Sequence, residues 1–135
     1  MKDIDKLVDL YYIEKKLNCD RTMLKCLGEL FDVEISDQVM AAAVGQHTAG
    51  IRKQCGFVEG TLMFIGIYFS QKGATDKEIS ALCRKYIDSY IETFAYTQCE
   101  DIRSKILKLT DNKHGQCGPM GKRTVRHSYE FIKAQ

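Results

Sequence analysis

From Ile79 to Phe94 the apolar residues fall at Ile79, Leu82, Cys83, Tyr86, Ile87, Tyr90, Ile91 and Phe94, alternating steps of three and one without a miss. Such a series lies on one face only when the backbone turns every 3.6 residues, so the segment is a helix with one apolar side. Thr75-Asp76-Lys77-Glu78 opens it as a capping box, in which the threonine hydroxyl accepts from the first turn and the glutamate reaches back. No segment carries convincing strand alternation, and a single proline in the chain leaves long helices uninterrupted.

The rest of the chain reads the same way. Ile4, Leu7, Val8 and Tyr11 form one stripe of a first helix, about Ile4 to Leu17. Asn18 is placed to cap a second, running through Met23, Cys26, Leu27, Leu30 and Phe31. Ser36 and Asp37 start a short third helix through Val39 to Val44. Gly45-Gln46-His47-Thr48-Ala49-Gly50 reads as a connection. An apolar helix follows, starting between Gly50 and Cys55 and running to about Ser70, with Gly73 closing the segment. Thr97-Gln98-Cys99-Glu100 is a second capping box, opening a helix toward Leu109. Asp111 to Gly115 is a turn, and Pro119 suits the first turn of a last helix carrying Val125, Tyr129 and Ile132. The expectation is an all-α fold, a compact bundle of six or seven helices, with residues 1–135 as a single domain.

The totals agree with one domain: 135 residues suffice to bury roughly two-thirds of the unfolded surface without covalent staples. A net charge of +2 gives no reason to expect nucleic acid as a partner. The most apolar stretch, Leu62 to Phe69, falls well short of the roughly 20 residues a membrane span needs, so no membrane insertion is expected. The opening residues Met1-Lys2-Asp3-Ile4-Asp5-Lys6 carry acids where a signal peptide has its apolar core. A cytoplasmic protein is therefore expected, in which thiols stay mostly reduced. Six cysteines in that setting point to redox, catalytic or metal chemistry rather than to a disulfide framework.

The six divide by position. Cys26 and Cys83 fall on apolar stripes, where a cysteine behaves as a small hydrophobe. Cys19 follows the cap Asn18, Cys99 lies in the first turn after Thr97, and Cys117 stands just ahead of the last helix. Cys55 is either a turn and a half inside its helix or at its start. Unpaired N–H groups make a helix start electropositive, so a thiol there ionises more readily, and the thiolate is both nucleophile and metal ligand. Gly56 and Gly60, four apart, leave one face of their helix without side chains, so another segment can pack closely beside Cys55.

Asn18-Cys19, Gln54-Cys55-Gly56-Phe57-Val58-Glu59-Gly60, Cys99-Glu100-Asp101-Ile102 and Cys117 together resemble the redox-active protein family named for the pattern C–GCAxxG–C–C. Cys55, Gly56 and Gly60 are in register with its central motif, and the cysteine spacings of 36, 44 and 18 residues suit it. Phe57 stands where that family usually has a small residue, Gln54 replaces a glycine, and the preceding glycine-rich run is thin. The resemblance implies a helical fold and a thiol-based redox role, and names no substrate.

Three functions compete. In the first, thiol–disulfide exchange, one low-pKa thiolate among Cys19, Cys55, Cys99 and Cys117 attacks a substrate disulfide and a second resolves the mixed intermediate. Cys55 is expected as one partner and Cys99 or Cys117 as another. The partner would be another redox protein or a small thiol, and no cofactor is required. Four cysteines allow three pairings, and the sequence does not choose. No C-x-x-C is present to support a thioredoxin-like mechanism. In the second, the same four thiolates hold zinc or an iron–sulfur cluster, although no close pair of ligands comes from one turn. In the third, the chain is a non-catalytic helical interaction module. Its tyrosines (Tyr11, Tyr12, Tyr68, Tyr86, Tyr90, Tyr96) or the basic Lys122, Arg123, Arg126 and His127 would then form a binding face.

Two other patterns fail. Gly121-Lys122-Arg123-Thr124 is similar to a phosphate loop, but Gln116 stands where its first glycine is required and no strand precedes it. His47, His114 and His127 form no hydrolase constellation.

Overall fold

The computed structural model describes residues 2–46, 53–111, 113 and 115–135. Among the described residues seven α-helices form a bundle: α1 (Ile4–Val8), α2 (Cys19–Leu30), α3 (Asp37–Ala42), α4 (Gly56–Gln71), α5 (Asp76–Phe94), α6 (Cys99–Asp101) and α7 (Gly118–Lys133). Among the described residues there is no β-strand, only one isolated antiparallel bridge between Gln54 and Gln98. No helix among them is long and apolar enough to cross a membrane.

Helix α4 is apolar on most sides and occupies the centre, packed against α2, α5 and α7, while α1 packs on α7 and α2. Its buried face, from Phe57 and Val58 through Phe64 and Ile65, meets Met23, Leu24 and Leu27 of α2 in one core. The crossing with α2 is close because of Gly60. A Cβ there would lie 2.7 Å from the Asp20 carbonyl oxygen and 2.8 Å from Met23 Cβ. The expected role of the glycine face is thus met at Gly60.

Caps define several of the ends. The Asn18 side chain accepts from Arg21 N–H, Ser36 from Val39 N–H and Thr75 from Glu78 N–H, the last with the Glu78 carboxylate returning the contact as a capping box. Asn18 also donates its amide to the carbonyls of Ala43 and Gln46, both at 3.0 Å, tying the chain after α3 to the start of α2. Gly73, at φ 88°, turns the chain from α4 into α5.

Three expectations are corrected. The first helix does not run evenly to Leu17: α1 passes into a π-wound turn, Asp9–Glu14, and Lys16 at φ 53° leaves the helix. The wider winding carries Tyr12 into the core and leaves Tyr11 half-exposed. The box at Thr97 does not form. Gln98 is the cap residue, without a side-chain bond, because the Thr97 carbonyl is engaged by Cys55 N–H at 2.7 Å. Beyond α6 the chain again turns π-wound over Ile102–Ile106 instead of continuing as an α-helix toward Leu109. The connection read at Gly45 to Gly50 and the turn at Asp111 to Gly115 lie partly outside the described residues.

The core contains one polar chain. Thr61 donates its hydroxyl to the Phe57 carbonyl at 2.9 Å, so it must accept from Ser128, 2.9 Å away. Ser128 in turn accepts from the Tyr86 hydroxyl at 2.7 Å. Every proton in this relay is spoken for, which is how α4, α5 and α7 bury three hydroxyls together. Two basic residues of α7 meet the first helical segment: Lys122 pairs with Asp9 of the π-wound turn and Arg126 with Asp5 of α1, each at 3.0 Å. They form exposed ion pairs on the bundle surface.

Candidate functional site

Each of Cys19, Cys55, Cys99 and Cys117 stands at the start of a different helix. Cys19 is the first residue of α2 and Cys99 the first of α6, while Cys55 is the cap residue of α4 and Cys117 that of α7. The sequence had left Cys55 ambiguous between a helix start and a helix interior, and it is a start. Four helix starts brought to one end of the bundle bring four thiols to one place.

The isolated bridge fixes two of them. Cys55 N–H donates to the Thr97 carbonyl and Cys99 N–H to the Lys53 carbonyl, both at 2.7 Å, on either side of the pair Gln54 and Gln98. In an antiparallel pairing, residues one step on from each member of a facing pair lie diagonally on the same face. Cys55 and Cys99 therefore project to the same side.

That side is a small cavity of about 20 Å³, room for the centre of one water molecule, lined by all four cysteines. Gly56, Phe57, Ile102 and Met120 wall it, and Arg103 reaches it from the turn after α6. Cys55 and Cys117 are only 6% and 8% exposed, whereas Cys19 and Cys99 keep part of their surface open. All six cysteines are thiols. Cys26 is fully buried on α2 and Cys83 half-buried beside the Leu62 carbonyl, and neither lines the cavity.

The expected low pKa is overturned at two positions. Burial pushes the Cys19 thiol well up, and the neighbouring Cys55, Cys117, Asp20 and Cys99 add to the rise. Burial also pushes Cys55 up to about 12. The helix-start effect does operate at Cys55, where the N–H groups of Val58 and Phe57 favour the thiolate, but loss of solvent outweighs it. These two cysteines are therefore thiols at neutral pH.

Cys117 has a different neighbour. Arg103 donates Nη1–H to Cys117 Sγ at 3.1 Å, and Nη2–H to the Asp111 carbonyl at 2.6 Å and to Gln116 Oε1 at 3.0 Å. Gln116 in turn donates to the Asp111 carboxylate. The guanidinium is thus held on three sides, with one edge against sulfur, where it can stabilise negative charge. Arg103 was not singled out in the sequence, although it stands only four residues after Cys99, because its contact is with Cys117, fourteen positions further on.

Two tyrosines were read only as core or surface groups. The Tyr12 phenol lies near Cys19 and the Tyr90 phenol near Cys55, and burial pushes both phenols well up. Tyr90 also meets Thr124 Oγ1 at 3.5 Å. Nothing in the spacing of Tyr12 and Tyr90 relates them to the cysteines, since the contacts form between helices.

Among the described residues, no group of three or more His, Cys, Asp or Glu side chains is arranged to hold a metal ion. His127 accounts for itself locally. Ser89 donates to the Tyr86 carbonyl at 2.7 Å and so accepts from His127 Nε2–H at 3.1 Å, which leaves no serine–histidine nucleophile.

Phe57, the departure from the small residue usual in the motif, is accommodated across the bundle. Gly121 of α7 lies under its ring, so that a Cβ there would approach Phe57 Cζ to 2.7 Å. The ring also packs on Tyr12, with centroids 5.5 Å apart. No curated protein and no solved structure matches the chain. The family model described as "Putative redox-active protein (C_GCAxxG_C_C)" matches residues 17–131, a span holding all four cavity cysteines, Gly56 and Gly60, and the chain belongs to that redox-active family.

Proposed function

We propose that this protein is a cytoplasmic thiol–disulfide oxidoreductase, using the cysteines of the four-helix cavity to exchange electrons with a disulfide in a partner protein or a small thiol compound. The observation that carries this reading is the convergence of Cys19, Cys55, Cys99 and Cys117, from four separate helix starts, on one cavity too small for anything but sulfur and a single water. Four thiols lining one cavity of this size suit a site that closes a disulfide. The part-exposed Cys99 provides access, while the buried Cys55 and Cys117 are shielded from other oxidants.

The test is a thiol count on protein purified without oxygen, before and after mild oxidation, with metal content and the visible spectrum recorded in parallel. An even number of thiols should disappear and return on reduction. In a Cys19, Cys55, Cys99 and Cys117 to Ser variant no loss should occur. Thiols unchanged by oxidant would overturn the reading, and so would visible absorption or stoichiometric metal in the purified protein.

A further inference from the structure

We infer that Arg103 is a catalytic residue of this site and that it makes Cys99 and Cys117 the working pair, with Cys99 the outer sulfur and Cys117 the inner one. The inference rests on the thiol–disulfide reading above and deepens it.

The geometry separates the four sulfurs into two groups. Arg103 lines the same cavity as Cys99 and donates directly to Cys117 Sγ at 3.1 Å, so its charge acts on the inner sulfur of that pair. Its other edge is tied to the Asp111 carbonyl and to Gln116, whose amide binds the Asp111 carboxylate, so the charge is fixed against sulfur and not free to swing out. Among the described residues, no cation makes a hydrogen bond or ion pair with Cys19 or Cys55. Their neighbours are the phenol hydroxyls of Tyr12 and Tyr90 and the desolvating core, surroundings that keep a thiol protonated. Access differs within the Arg103 pair as well. Cys99 is part-exposed at the cavity mouth, and Cys117 is 8% exposed behind it.

The reaction follows from these positions. Cys99 loses its proton to solvent and its thiolate attacks one sulfur of the substrate disulfide; a Cys99–substrate S–S bond forms as the substrate S–S bond breaks, and the displaced sulfur leaves as a thiolate that takes a proton from solvent. Cys117, its negative charge held by Arg103, then attacks Cys99 Sγ. The mixed disulfide breaks, and the second substrate sulfur leaves with the Cys117 proton. Two thiols of the protein are oxidised to the Cys99–Cys117 disulfide, and the substrate disulfide is reduced to two thiols. In the reverse direction an external thiolate attacks the outer Cys99, and Cys117 leaves as a thiolate onto the guanidinium.

The experiment uses the full chain carrying Cys83→Ala and a probe disulfide, 5,5′-dithiobis(2-nitrobenzoate), whose released thiol is followed by absorbance. Mixed-disulfide formation gives a first release and ring closure a second. The expected result is a prompt first and second release, with peptide mapping showing a Cys99–Cys117 bond. Cys117→Ser should stop after the first release with the probe still on Cys99. Arg103→Gln should leave the first release unchanged and slow the second by roughly tenfold to a hundredfold, the loss of one hydrogen bond from a charged donor. Arg103→Lys should restore part of it. Gln116→Ala, which removes a support and keeps the cation, should have a smaller effect than Arg103→Gln. Equal slowing of both releases by Arg103→Gln, or an unchanged second release, would overturn the role of Arg103. A disulfide mapped between another pair would overturn the pairing while leaving the redox reading standing. Stable probe adducts with no disulfide at all would overturn both.

Discussion

Replacing Gly60 by alanine sets two effects against each other in one position. In a helix interior alanine is more favourable than glycine by about 1 kcal/mol, so in open surroundings the change should stabilise. Gly60 is not in open surroundings. The added methyl would sit 2.7 Å from the Asp20 carbonyl oxygen and 2.8 Å from Met23 Cβ, about 0.7 Å inside the 3.4 Å at which ordinary contact begins. Neither neighbour can swing aside, since one is backbone and the other the stem of a fully buried side chain. Relief requires α2 to move away from α4, and overpacking of this kind costs about 1–3 kcal/mol. Steric cost therefore offsets or outweighs propensity, with a net loss of up to about 2 kcal/mol, or a fall of up to roughly 8 °C in the thermal midpoint. Gly66 provides the control in the same helix, because a Cβ there meets nothing within 4 Å. Gly66→Ala should raise the midpoint by roughly 2–4 °C. Urea and thermal unfolding of the two variants, side by side, measure the difference. If Gly60→Ala stabilises the protein as Gly66→Ala does, the close approach of α2 and α4 is not what the glycine is for.

Phe57→Ala should cost about 3–5 kcal/mol in chemical denaturation. Gly121→Ala, destabilising alone, should become neutral or favourable in that background, because the methyl then enters the space the ring has left; strict additivity would refute the pairing. Asp20 gives a pH signature. Burial, with the charge of Glu59, raises its carboxyl from 3.8 to about 7. The folded state therefore holds the proton more tightly than the unfolded one, and this contribution to stability is complete below pH 3.8 and is lost as pH rises toward 7. Asp20→Asn should flatten that part of the stability profile, and a profile that keeps its slope in the variant would assign it to another group. Ala95 closes α5 at φ 71°, a region costly for a side chain, so Ala95→Gly should stabilise by about 1 kcal/mol in the same denaturation assay.

Much of this protein was legible in its residues because the signals are local. The stripe from Ile79 to Phe94, the caps Asn18, Ser36 and Thr75, and the glycine pair at Gly56 and Gly60 all act within a turn or two of their own position. They predicted helices that the structure contains. The stripe of α5 told less about depth, since Tyr86 and Tyr90 are fully buried while Ile91 is 45% exposed. Which part of a stripe is covered depends on how many helices pack over it. Thr97-Gln98-Cys99-Glu100 misled for a similar reason: the Thr97 carbonyl was claimed by Cys55, a residue far away in the chain.

Of the site, the sequence by itself determined that Cys19, Cys99 and Cys117 stand at helix starts, and why a thiol there is chemically distinct from Cys26 or Cys83. Only the tertiary structure decided that four such starts meet at one cavity, that Cys55 is among them as a cap, and that Arg103 rests against Cys117. It also reversed the electrostatic expectation for Cys19 and Cys55. The electropositive helix start is a property of the nearest few peptide groups and can be read from local order. Desolvation is set by every chain segment that closes around the sulfur, and those segments come from separate parts of the sequence.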